Sequence, residues 1–200
     1  MEILYKVYDN LYVNLTNKCP CACTFCLRQT TDHVGESQSL WLEREPSFEE
    51  VVASFEGFDM SQYKELVFCG FGEPTEALDV LLKTAEYVKN TYDIPIRLNT
   101  NGLGNLIHER DITPEFAGLI DTVSISLNTP NKVRYHELVR SKFGDKSFDS
   151  MLEFAKGCTQ VVSKVVMSTV DTTLTKEEEK ECQLICDEIG ASYRIRPWEG

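Results

Sequence analysis

No apolar run in this chain approaches the roughly 20 residues that a membrane-crossing helix needs. The opening MEILYKVYDN has acids where a secretory leader would be basic and then apolar. These two absences predict a cytoplasmic protein with no membrane partner. Basic residues are scarce too: 20 Lys and Arg face 32 Asp and Glu, giving a net charge of -12 and a pI near 4.7. That field repels a nucleic acid unless a local patch overcomes it. The basic stretch RYHELVRSKFGDK is short and interleaved with acids, so such a partner is disfavoured. Low-complexity sequence is missing, and the length suits one core, so a single domain over residues 1–200 is expected.

Sulfur is not scarce. Four of the eight cysteines fall in NKCPCACTFC, residues 17–26. In a reducing compartment clustered thiols point to metal or redox chemistry rather than to structural bridges. The other four (Cys69, Cys158, Cys182 and Cys186) are scattered, which also argues against a disulfide framework. Cys19, Cys23 and Cys26 have the short spacing with which thiolates hold iron–sulfur clusters. Structural zinc needs four ligands in a closed tetrahedron, and a Cys-x-Cys-x-Cys loop is tight for that. No second Cys-x2-Cys appears, and His33, His108 and His136 stand apart. CTFC could also be a redox pair, although Cys19 and Cys21 would then go unexplained. The residues alone leave these readings open.

The rest of the chain alternates strand and helix. LYVNLT, KELVFCGFGEP, IPIRLNTNG, TVSISLNTP, SKVVMSTVDT and YRIRP read as strands. Between them SFEEVVASFEGF, TEALDVLLKTAEYVKNTY, KVRYHELVR, SFDSMLEFAKGC and TKEEEKECQLICDEIGA read as helices, with a weaker piece at PEFAGLID. Ser47 with Glu50 and Thr175 with Glu178 have capping-box spacing. Alternation implies a parallel sheet covered by helices. Six units suggest an incomplete barrel, since eight units in roughly 250 residues usually close one. A doubly wound sheet is the alternative. In both, ligands bind at the C-terminal ends of the strands. The loops there are TNKCPCACTFC, CGFGEPTE, NTNG, SLNTPN, VDTTLT and RPWEG, where the unusual residues converge.

Cys19-x3-Cys23-x2-Cys26, with Phe25 before the last cysteine, resembles the signature of the radical S-adenosylmethionine (SAM) enzymes. The resemblance covers essentially the whole chain. It implies a partial (βα)6 barrel, an α/β fold, in which these three cysteines hold a [4Fe-4S] cluster and Cys21 is a bystander. It also places Phe25 beside the cofactors. By themselves the GFGEP glycines permit close approach of a ligand, and Glu73 is either a ligand carboxylate or a solvated turn residue. The resemblance makes Gly70, Gly72 and Glu73 the element that binds the amino group of SAM, with Phe71 where glycine is commoner. NTNG is by itself a generic turn; in this context it resembles a ribose-binding segment, implicating Asn99 and more weakly Asn101. Ser126 and Asn128 share a strand face with Ser124 and are carried over as SAM contacts. Arg140 could pair with the SAM carboxylate or be a surface residue. Arg194 and Arg196 lie on one face of the last strand; if inward they would bind SAM or an acidic substrate. Cys182 and Cys186, with Ile185 and Ile189, form an apolar stripe, and Cys69 reads as a small buried hydrophobe.

The resemblance further implies reductive cleavage of SAM to methionine and a 5'-deoxyadenosyl radical that takes hydrogen from a substrate, so no general base or nucleophile is assigned. A reductant such as flavodoxin or ferredoxin is expected. An open barrel side suggests a homodimer or a docked protein substrate. The chain ends at the sixth strand with no Cys-rich extension for auxiliary clusters, which speaks against peptide maturases of that kind. YVNLTNKC, FCLR and GFGEPTE are most similar to the small radical SAM proteins associated with TatD-type nucleases. Competing expectations are a glycyl-radical-enzyme activating protein, a small-molecule rearrangement or dehydrogenation enzyme, and a zinc-stabilised interaction module.

Overall fold

The structure is a computed structural model in which residues 1–35 and 37–197 are described; the Trp198, Glu199 and Gly200 part of the RPWEG loop lies outside them. Seven strands form one sheet: β1 Leu4–Val7, β2 Asn10–Val13, β3 Leu66–Phe68, β4 Ile96–Thr100, β5 Thr122–Ser126, β6 Lys164–Val170 and β7 Ser192–Arg196. Strands β2 to β7 are parallel and correspond one for one to the six expected from sequence. The seventh, β1, was not anticipated. It pairs antiparallel with β2 through a tight turn in which Tyr8 takes a left-handed backbone (φ 51°).

The strands lie side by side in chain order, β1 through β7. A doubly wound sheet reverses direction at a switch point. An unreversed run of right-handed crossovers puts every helix on one face, and the sheet curls into a barrel. Because β1 and β7 are not hydrogen-bonded to each other, the barrel is partial. The helices are α1 Phe48–Ser54, α2 Leu78–Thr91, α3 Gly104–Ile107, α4 Lys132–Val139, α5 Lys146–Thr159 and α6 Lys176–Ile189. Both capping boxes form: Ser47 and Thr175 accept from the amides of Glu50 and Glu178, whose carboxylates bond back. The PEFAGLID piece is a single 3-10 turn, Thr113–Phe116.

Alternation along the strands separates two faces. Leu11, Val13, Leu66, Phe68, Ile96, Leu98, Val123 and Ile125 are fully buried under the helices, joined by Leu81, Val88, Phe154, Cys158, Cys182 and Cys186. Burial of Cys182 and Cys186 agrees with the expected apolar stripe. The other face is concave and polar: in register across it lie Tyr12, Arg97, Asn99, Ser124, Ser126, Ser168 and Arg194. At its β1 end the segment after the cysteine loop folds back over it, where Leu40 and Val34 pack on Tyr5, Tyr12 and Phe71.

Candidate functional site

The cysteine loop leaves β2 at the C-terminal rim of the barrel. Its backbone is stapled to the end of α4 and the turn beyond: Thr24 N donates to Leu138 O at 2.9 Å, Ala22 N to Val139 O at 3.1 Å, and Lys142 N to Pro20 O at 2.8 Å. Cys21 bridges Ser141 and is only 5% exposed, within the apolar core. Cys19, Cys23 and Cys26 are partly exposed. Thus one cysteine of the four is buried and three are partly exposed at the rim. The Cys21 thiol bonds to the sulfurs of Cys19 and Cys23, holding both below the usual thiol range; the same bonds, with burial, push Cys21 up. Cys26 is pushed up by burial. Thiolates are the metal-binding form. Among the described residues no three His, Cys, Asp or Glu side chains close around a point the size of a single ion. A cubane spreads its irons over a cage and does not require that.

The GFGEP loop follows β3, and its glycines answer to the chain itself. A Cβ on Gly70 would lie 2.1 Å from Asn14 Oδ1, and one on Gly72 would lie 2.2 Å from the carbonyl oxygen of Thr16. Both glycines let this loop press against the start of the cysteine loop. Glu73 is not a solvated turn residue. It is 3% exposed; its Oε1 accepts from Thr75 N, Thr75 Oγ1 and Thr100 Oγ1 at 3.1, 2.8 and 2.7 Å, and its Oε2 from Asn101 N at 2.8 Å. Burial raises its pKa against those four donors. The carboxylate thereby joins the GFGEP and NTNG loops.

Asn99 and Asn101 divide the NTNG segment. Asn101 Nδ2 lies 3.7 Å from Cys21 Sγ and 3.9 Å from Cys19 Sγ, so the weaker candidate of the two is the one at the cysteine loop. Asn99 points onto the concave face, where its side chain bonds the Cys69 thiol while its Oδ1 is buried without a hydrogen-bond partner. Asn128 Oδ1 is likewise buried and unpartnered. Asn128 does not continue β5, which ends at Ser126; it takes a left-handed backbone (φ 65°), and its amide donates to Ser168 O at 3.1 Å. Ser126 sits on the concave face in register with Ser168. Phe25 is partly buried beside Cys26. Arg140 caps the C-terminus of α4 in a left-handed conformation and is exposed. Arg194 and Arg196 share the concave side of β7 through their registers with Ser168 and Val170; Arg194 is exposed and Arg196 partly buried.

Sequence reading passed over Asn14, Asn17, Arg28, Thr75, Thr100 and Arg97. Asn14 is fully buried, its Nδ2 on Leu40 O at 2.7 Å and its Oδ1 unpartnered. Period-two alternation from Tyr12 could have found it. Thr75 bonds Glu73 two residues before it, and the others serve through contacts between distant parts of the chain that leave no local pattern.

Buried polar atoms are nearly always hydrogen-bonded. The orphaned oxygens of Asn99, on β4, and of Asn128, just beyond β5, therefore fit a polar ligand, and the three partly exposed thiols of the neighbouring loop fit a thiolate-held cluster. The comparisons agree. Residues 13–189 match the radical SAM superfamily, and the chain belongs to it. That superfamily comprises enzymes that use a [4Fe-4S] cluster and SAM. No curated protein matches. Among solved structures the chain is similar to Streptococcus suis SuiB bound to the precursor peptide SuiA, at TM-score 0.68 and 19% identity, covering 96% of this chain and 39% of that one. It is similar also to a radical SAM methyltransferase from Sphaerobacter thermophilus, at TM-score 0.59 and 15% identity over 98% and 69% of the two chains. AdoMet-bound anSMEcpe gives TM-score 0.63 and 18% identity over 93% and 50%. The chain thus spans about two fifths of SuiB, and these likenesses concern the fold. No helix among the described residues is long and apolar enough to cross a membrane.

Proposed function

We propose that this chain is a radical SAM core in which Cys19, Cys23 and Cys26 hold a [4Fe-4S] cluster and the concave face holds SAM. The observation that carries this reading is three partly exposed cysteines in the loop that leaves β2, together with unpartnered oxygens on Asn99 and Asn128 at or just beyond the C-terminal ends of neighbouring parallel strands. Cys21, buried beside the three cysteines, is not among the ligands in this reading. When bound, the two cofactors supply reductive cleavage of SAM to a 5'-deoxyadenosyl radical that abstracts hydrogen from a substrate. The residues of the chain bind, orient and shield. Glu73 ties the GFGEP loop to the NTNG loop and so fixes the carbonyls that face the SAM amino group. Asn99, Ser126 and Asn128 present polar atoms to the ribose and methionine ends. Leu40 and Phe71 exclude water from the β1 side. Arg194 and Arg196 on β7 suit an anionic group on SAM or substrate.

The wording YVNLTNKC, FCLR and GFGEPTE supports placement with the TatD-associated radical SAM proteins. A cytoplasmic enzyme reduced by a flavodoxin or ferredoxin fits the acidic sequence. Anaerobic reconstitution with iron and sulfide tests the proposal. It predicts a brown protein with about four irons per chain that releases 5'-deoxyadenosine from SAM on reduction. A colourless protein that takes up zinc stoichiometrically instead defeats it.

A further inference from the structure

One cation beside the cysteine loop has no part in the account so far. Arg28 lies in the 3-10 turn Leu27–Gln29, which follows directly on Cys26. Its side chain doubles back, and Nη1 donates to the carbonyls of Asn17 and Phe71, 3.3 Å to each. The guanidinium therefore spans the base of the loop, from beyond its last cysteine to before its first, and touches the GFGEP loop as well. Its carbon stands 5.9 Å from the centre of the Trp41 ring, which meets Phe71 edge-on at 5.1 Å. Three contacts hold a side chain that would otherwise be free to rotate.

The charge held there is uncompensated. Among the described residues no carboxylate forms an ion pair with Arg28, whereas Lys18, in the same loop, is matched by Glu45 at 2.9 Å. Arg28 stands two residues beyond Cys26, and its contacts to Asn17 and Phe71 hold its charge against the loop that carries the three cysteines.

We propose that Arg28 is a positioning residue: its fixed charge raises the reduction potential of the cluster held by Cys19, Cys23 and Cys26, and its two carbonyl contacts lock the cysteine loop to the GFGEP loop. This rests on the cluster reading above. Gaining an electron makes the cluster more negative, so a nearby cation stabilises the reduced state. Removing the cation should lower the ratio of reduced to oxidised cluster about tenfold at a fixed potential, equivalent to 59 mV for one electron.

The test is a redox titration followed by electron paramagnetic resonance on anaerobically reconstituted wild type, Arg28→Gln and Arg28→Lys, each with iron and sulfide counted. Arg28→Gln should fall by about the stated amount, and Arg28→Lys should stay near wild type because it keeps the charge. Equal potentials in Arg28→Gln and wild type at full iron content overturn the proposal. So does an equal fall in both variants, which would mean that shape rather than charge matters. If Arg28→Gln assembles no cluster, Arg28→Lys decides alone: a wild-type potential supports the proposal and a tenfold shift overturns it. If neither variant assembles, the arginine is structural and the proposal fails. A wild type that takes up no cluster sinks the cluster reading itself, which is a different result.

Discussion

Gly70 and Gly72 lack side chains because other parts of the protein fill the space where a Cβ would go, and what fills it differs. At Gly70 the obstacle is the Asn14 side chain; at Gly72 it is the backbone of Thr16 and Lys18. A side chain can rotate away and a main chain cannot, so Gly72→Ala should cost about 3 kcal/mol and Gly70→Ala about 1 kcal/mol. Urea unfolding of the two variants checks the order. A parallel asymmetry separates the cysteines. Alanine at Cys19, Cys23 or Cys26 should abolish the visible absorption of the reconstituted protein and its iron content. Cys21→Ala should keep both and lose about 1 kcal/mol or more of stability through its buried position. Equal loss of iron in all four variants would show that the ligand assignment is wrong.

Among the elements, α1 shows how a helix start is tuned. Ser47 closes the capping box with Glu50, and Arg44 reaches the same carboxylate at 2.7 Å through Nη1. Those contacts, Arg44 first and the Ser47 amide second, lower the Glu50 pKa from 4.5 to about 2. A depressed carboxylate contributes stability that is present above its ordinary value and lost as pH falls toward the folded value. Acid unfolding should accordingly steepen between pH 4.5 and about 2, and Glu50→Gln should flatten that limb while leaving the neutral-pH baseline nearly parallel to wild type. The pair is exposed, so the effect should shrink in high salt. An unchanged acid limb in Glu50→Gln would remove this helix start from the account. The loops respond to longer-range ties. Glu73 connects GFGEP to NTNG through Thr100 and the Asn101 amide, so the two loops behave as one unit.

At the scale of the molecule the sheet presents a fully buried apolar face to its helices and a polar face to the barrel interior. Such an interior is unfavourable while its polar atoms lack partners. A ligand that supplies them stabilises the fold by RT ln(1 + [L]/Kd), about 2.7 kcal/mol at a hundredfold excess over Kd. SAM should therefore raise the thermal midpoint of the reconstituted protein, and Asn99→Ala or Asn128→Ala should reduce that rise more than it lowers the unliganded midpoint. Calorimetry with and without SAM measures both. A full rise in both variants would place SAM elsewhere.

The local periods of the chain were enough to locate the six parallel strands, the longer helices between them and both capping boxes, though not the one-turn helix α3, because helix and strand patterns and caps are written within a few residues of one another. The spacing of Cys19, Cys23 and Cys26 was legible for the same reason: one short loop carries all three. The hairpin strand β1 was not, since its four residues read as strand only once β2 is there to pair with them. Tertiary structure alone decided that Gly70 and Gly72 yield to Asn14 and Thr16, that Glu73 is buried between two loops, that Asn101 rather than Asn99 reaches the cysteines, and that Arg28 crosses the base of their loop. Each of these is a contact between side chains or loops brought together by the curl of the sheet, and no sequence period encodes which partner that curl delivers.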